Sequence, residues 1–283
     1  MSIGVSSAFI AEFSSDVKHA YQSQGRGLLE RVRVKNDVKA STYKFHKMGK
    51  GMASEHIPQA DVTPMNVGNS GATATLTNWV APEYSDVFDL EKISYDERDE
   101  LVKVVAGAIA RRGEQLLLDA LDAGANATQV IENFGATASG VTVTKLRRLK
   151  RLMDAKGVPM EDRTFVHDAI GMEQLLGSTN VTSSDYNSVK ALVHGDVDTF
   201  LGFKFILIED RDEGGVDTTS NVTKNFGFHK DAIGLAVGHQ FDTEINYVPE
   251  KVSWLINGRY SAGAIGIDDE GIYELLSNNT AVV

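Results

Sequence analysis

Seven histidines, at positions 19, 46, 56, 167, 194, 229 and 239, are the residues best able to ligate a metal or shuttle a proton at neutral pH. None pairs as His-Glu-x-x-His or at another helical ligand spacing, so no metal site is expected. His167-Asp168 could form a dyad after a strand, but neighbouring strand residues point to opposite faces, and Asp168 better serves as a helix N-cap. No Gly-x-Ser-x-Gly elbow occurs, and the chain has no Cys, which removes thiolate metal sites, disulfides and Cys nucleophiles together. Gly49-Lys50-Gly51 is not a phosphate loop, because Gly51 stands where Ser or Thr would hold magnesium. Gly25-Arg26-Gly27 lacks the third glycine of a dinucleotide fingerprint. From Asp210, the acidic run has Gly214 at the fifth position of a calcium loop and Asn221 at the twelfth, so it reads as a solvated turn. The expectation is no enzyme, no cofactor and no resident metal.

Charge gives the next clue. The 283 residues hold 28 Lys+Arg and 39 Asp+Glu, a net −11, but residues 1–50 alone carry nine basic and four acidic side chains. A basic leading segment on an acidic body suits a nucleic-acid arm, or an arm that reaches an acidic copy of the same chain. Lys145-Leu146-Arg147-Arg148-Leu149-Lys150-Arg151 is the densest positive cluster. A nucleic-acid-binding protein using that helix and the basic leading segment is the alternative reading. No apolar stretch approaches the roughly 20 residues of a membrane helix, and no basic n-region marks a signal peptide.

The elements that would carry these groups are mixed. Residues 8–24 show helical spacing, and Val32, Val34, Val38 and Tyr43-Lys44-Phe45 alternate as strands do. Met48 to Ala74 is a long irregular excursion rich in Gly, Ser, Asn and Thr, and Ala72–Val80 reads as its returning strand. Ser94-Tyr95-Asp96-Glu97 matches a capping box that opens a helix running to Gly124, a rod of roughly 40 Å. Helices are expected over 144–156 and 168–176, with strands at 165–167, 201–209, 241–247, 251–257 and 262–267. Strands and helices do not alternate regularly, so the fold class is α+β.

Several segments, in order, resemble tailed-phage major capsid proteins. They are Phe9-Ile10-Ala11-Glu12-Phe13, Leu28-Leu29-Glu30-Arg31-Val32-Arg33, Lys47-Met48-Gly49-Lys50-Gly51 and Ile93–Leu121. Trp254-Leu255-Ile256-Asn257-Gly258-Arg259-Tyr260-Ser261-Ala262-Gly263-Ala264, leading into Gly271-Ile272-Tyr273-Glu274-Leu275, completes the set. The resemblance implies a Hong Kong 97-type capsid fold: an N-terminal arm (1–35), an extended loop (36–82), a peripheral domain with a spine helix (83–141), an axial domain (142–240) and return strands of the peripheral domain (241–283). It implies a structural protein that self-assembles as hexamers and pentamers into an icosahedral head shell around double-stranded DNA. Implied partners are other copies of the chain, a portal, a separate scaffolding protein, a decoration protein and weakly held packaged DNA, with assembly in the host cytoplasm. Inter-subunit contacts would come from Arg31, Arg33, Lys35, Lys44, Lys47 and Lys50 on the basic side, and from acids at the spine-helix entrance such as Glu97 and Asp99. No covalent Lys–Asn cross-link is expected.

Overall fold

Two β-sheets share one chain that crosses between them three times, and an exposed hairpin projects from the first. The computed structural model describes residues 27–59, 61–62, 64–90, 97–134, 139–177, 199–209, 213 and 215–280. The helix expected over 8–24, the capping box at 94–97 and the acidic run from Asp210 to Asp212 lie wholly or largely outside them.

The first sheet is built from β1 (Arg33–Lys35), β4 (Thr77–Asp86), β10 (Ile233–Val248) and β11 (Ser253–Gly266), in the order β1-β10-β11-β4. β1 is parallel to β10, and the other pairs are antiparallel. After β4 comes a single turn, α1 (Val87–Leu90). Helix α2 (Glu97–Gly124), 28 residues long, lies on this sheet. Its apolar stripe of Val105, Ile109, Leu117, Leu118 and Leu121 is buried, as the helical spacing required. Gly258 of β11 lets the stripe come close: a Cβ there would lie 2.5 Å from Val105.

The second sheet runs β12-β9-β5-β7-β6, with β8 paired to β9. Its strands are β5 (Arg163–His167), β6 (Thr199–Phe200), β7 (Phe203–Leu207), β8 (Thr218–Thr219), β9 (Val222–His229) and β12 (Ile272–Asn278). Helices α3 (Val143–Ala155) and α4 (Ala169–Gly177) cover one face through Leu146, Leu149, Met153, Met172 and Leu175, packed on Phe165, Phe203, Tyr273 and Leu275. The other face, with Val166, Phe226, Phe228 and Ile272, joins the core beneath α2. Asp168 caps α4, its Oδ1 accepting the Gly171 amide at 2.7 Å.

Between β1 and β4 in sequence stands the hairpin of β2 (Thr42–Met48) and β3 (Asn69–Thr75), paired from Thr42↔Thr75 to Met48↔Asn69. Two strands alone are marginal in water. This pair is held at its root by a small third core in which Phe45 and Ala74 meet Ala236 of β10. Gly234 lies directly under the Phe45 ring, and Gly263 under the backbone of Thr75.

Four expectations change. The returning strand at 72–80 is two strands broken at Leu76, where the Leu76 amide turns to bond the Ser41 carbonyl at 2.9 Å. The strands expected at 251–257 and 262–267 are one continuous β11. β10 starts at Ile233 rather than 241, and β9 went unread. The return strands do not stay together: β12 leaves β11 and pairs with β9, because Tyr273 and Leu275 fit the core under α3 while Ile272 turns to the other core.

Candidate assembly interface

β2 alternates with the pleat, so Tyr43, Phe45 and Lys47 face the body while Thr42, Lys44, His46 and Met48 face solvent. The inward Lys47 sets its ammonium 2.6 Å from Asp268 Oδ1, and Lys50, just past the strand end, sets its own 2.5 Å from Glu270 Oε2. Lys156, which follows α3, reaches the same Glu270 carboxylate at 3.3 Å. The Lys50 hydrogen bond and then the Lys156 hydrogen bond hold the Glu270 carboxyl below its usual value, and Glu270 in turn raises Lys50.

The remaining expected contact residues are spread differently. Arg31 is half-buried in a 3-10 turn, Leu28–Arg31. Arg33 and Lys35 lie exposed on β1, with the Arg33 guanidinium 6.0 Å from the Phe45 ring centre, and Lys44 is exposed on the outer face of β2. Glu97 opens α2, and Asp99 is exposed in its first turn. The structure therefore gathers Lys47 and Lys50 on acids of their own chain, leaves Arg33, Lys35 and Lys44 facing outward, and brings none of them to Asp99. Sequence reasoning missed Asp268 and Glu270 as partners. The visible signal was the acidic turn Asp268-Asp269-Glu270, but nothing local to it points to a hairpin more than 200 residues earlier.

Beyond the strand ends the Gly49 amide donates to the Gly68 carbonyl at 2.8 Å. The stretch from there carries Met52, Ile57, Val62 and Met65, exposed by 86%, 67%, 83% and 60%. Scattered apolar residues on a surface are ordinary, but here four lie along one loop, next to the exposed Met48.

The basic helix α3 loses its strongest member to the interior. Lys145 is fully buried, its ammonium donating to the Ser139 and Leu276 carbonyls at 2.5 and 2.8 Å. Burial lowers its pKa to about 8. Lys150 is paired with Asp154 at 3.0 Å. The cluster is thus no continuous phosphate-binding face, and nothing in the geometry supports the nucleic-acid alternative. Among the described residues no group of three or more His, Asp or Glu side chains is placed to hold a metal ion, and no helix is long and apolar enough to cross a membrane.

The family model described as "Phage capsid protein" matches residues 5–278. The chain belongs to that family. Membership makes it a structural protein of a phage virion, the major protein of the capsid. Solved phage capsids share its fold. The capsid protein of the cyanophage P-SCSP1u superposes with a TM-score of 0.77 at 17% identity, over 99% of this chain and 96% of that one. The head structure of the Helicobacter pylori bacteriophage KHP40 gives 0.76 at 11% identity, over 94% of each chain. The acid-stable capsid of the H. pylori bacteriophage KHP30 gives 0.74 at 11%, over 99% of each. No curated protein sequence matches this chain. The α+β capsid protein thus has the Hong Kong 97-type architecture that the resemblance implied.

Proposed function

We propose that copies of this capsid protein close into an icosahedral head shell around a double-stranded DNA genome, with the hairpin loop of each copy lying on its neighbour. The observation that carries this reading is the projecting loop, whose Met52, Ile57, Val62 and Met65 stand exposed on the single chain. Covering them on a neighbour removes apolar surface from water at about 25 cal/mol per Å², and a closed symmetry repeats that gain at every copy. Arg33, Lys35 and Lys44 face outward and lie available to a neighbour's acids, where charge sets register more than affinity. Asp99, exposed at the start of α2, remains one candidate for the acidic side.

The chain works by assembly and performs no catalysis. Hexamers and pentamers of the chain, a separate scaffolding protein and a portal complete the shell, and a decoration protein can bind its outside. Its net charge of −11 leaves packaged DNA loosely held. Assembly takes place in the host cytoplasm.

Negative-stain imaging of the purified chain with its scaffolding partner checks the reading. Closed particles of uniform size are expected. A chain that stays monomeric by light scattering under all such conditions refutes it. Replacing Arg33, Lys35 and Lys44 together by Glu is expected to cut particle yield while leaving the melting temperature unchanged, since all three are exposed.

A further inference from the structure

The chain passes between its two lobes three times, once after α2 and twice through tight turns, and the two turns touch. One is the 3-10 turn Lys230–Ala232 between β9 and β10; the other is Asp269–Gly271 between β11 and β12. The Ile267 and Asp268 amides both donate to the Ala232 carbonyl, at 2.7 and 3.2 Å. A Cβ on Gly271 would lie 2.6 Å from that of Ala232, so the turns meet backbone to backbone. The two turns therefore form one compact joint, and the third crossing starts beside it, where the Asn126 amide donates to the Ile272 carbonyl at 2.9 Å.

The hairpin, the end of α3 and the segment after α2 each send a polar side chain to the turn after β11. Lys47 comes from the hairpin to Asp268, Lys50 from the hairpin's end to Glu270, and Lys156 from the end of α3 to Glu270. Asn126, just beyond α2, donates to Asp269 Oδ2 at 3.2 Å. The acids are themselves positioned: Asp268 Oδ1 accepts the Glu270 amide at 3.1 Å, which caps the 3-10 turn. Lys50 also approaches the Lys156 carbonyl at 3.5 Å, so it bridges both lobes' contributions. A cavity of about 230 Å³ lies beneath, bounded by Lys50, Lys156, Pro159, His229 and Glu270.

We propose that this turn is an ionic latch, in which Lys47 and Lys50 fix the direction of the hairpin relative to the lobe junction before any neighbour is met. Taken singly, exposed ion pairs are weak. Here the two pairs continue a line of attachment that starts at the buried Phe45, so they need only suppress the remaining swing of a hairpin already held at its root. A loop that reaches its neighbour in a fixed direction loses less freedom on docking than a free one. The same contacts tie that direction to the angle between the lobes, so a change in one is passed to the other.

The test uses the full chain before assembly. It has no Cys, so cysteines placed at Ser54 in the loop and at the exposed Met160 are the only sites a spin label can take. Pulsed electron–electron distance measurement is expected to give a single narrow distribution. Lys50→Glu, which sets two carboxylates face to face, is expected to broaden it and shift its mean. Adding Glu270→Lys together with Lys156→Glu to that variant restores both pairs with reversed sign and is expected to narrow it again. Salt alone provides the same readout without any substitution: near 1 M NaCl, where the screening length is about 3 Å, the parent distribution is expected to widen. An unchanged distribution in Lys50→Glu, or no recovery in the triple variant, overturns the latch, as does a parent chain indifferent to salt. The importance of the latch rests on the shell-forming reading, but its test does not. Missing particles leave the distance data valid, and an absent latch leaves shell formation standing.

Discussion

Gly263→Ala is expected to detach the root of the hairpin and to abolish shell formation. Gly263 sits in β11 where the chain passes from β3 to β4 overhead, and a Cβ built on it would lie 2.0 Å from the Thr75 carbonyl oxygen and 2.7 Å from its carbon. The obstacle is backbone, so no side chain can rotate away. Either β11 bends, which disturbs its pairing with β4 at Ala262↔Thr77, or Thr75 lifts and draws Ala74 out of the small core with Phe45 and Ala236. Overpacking typically costs about 1–3 kcal/mol, and a clash between two backbones belongs at or above the top of that range. Urea unfolding followed by circular dichroism measures the loss. Hydrogen exchange should show Ala72–Thr75 losing protection before α2 does. Gly68→Ala is the control: its Cβ meets nothing within 4 Å, and neither its stability nor its particles should change. Equal midpoints for the Gly263 and Gly68 variants would contradict the proposed close approach.

Lys145→Met is expected to unfasten α3 from β12. The substitution keeps the apolar stem and removes two hydrogen bonds from a charged donor, each worth about 1.5–3 kcal/mol. Relief from burying the charge offsets part of this, leaving a net loss of roughly 2–4 kcal/mol. The pH dependence is more specific. The folded chain releases this proton at about pH 8, against an ordinary value of 10.5. Between those values the unfolded chain binds more protons, so the lysine makes stability rise with pH across that window. A neutral amine still has two N–H donors for its two carbonyl partners, so the fastening survives deprotonation. Tyr260 and Tyr273, whose burial raises their pKa values above 10, act oppositely but only at higher pH. Urea midpoints taken from pH 7.5 to 9.5 should therefore climb in the parent relative to the methionine variant. Parallel curves would show that the Lys145 proton is not linked to folding.

These two sites mark how far the sequence could be read. The apolar stripe of α2 repeats at helical spacing, so its burial followed directly from Val105, Ile109, Leu117 and Leu121. The excursion read over Met48–Ala74 was visible in part: 49–68 is irregular, but Asn69–Ala74 pairs with β2 as β3, which its Gly, Ser, Asn and Thr content did not announce. Lys145 looked like its neighbours in a basic helix. Its burial depends on where the Leu276 carbonyl arrives, 131 residues later. The start of β10, Ile233-Gly234-Leu235-Ala236-Val237, is a continuous apolar run, and such a run does not tell strand from buried helix. β12 had a readable pattern but an unreadable address, since either sheet could take its alternating side chains. Among the candidate contacts, basic types were legible and partners were not. Lys47 and Lys50 carry their charge in the sequence, but only the closed fold puts Asp268 and Glu270 beneath them.

The topology of the first sheet also bears on how the protein is made. β1 finds its partner at Gly234–Ala236, about 200 residues on, and β4 pairs with Ser253–Ala262, about 175 residues on. Synthesis at about 5–20 residues per second puts roughly nine seconds or more between those strands and their partners. Through that interval a nascent chain has a hairpin without the Ala236 and Gly263 that seat it, and a long helix without its sheet. Chains still on the ribosome therefore lack a finished surface to offer a neighbouring copy.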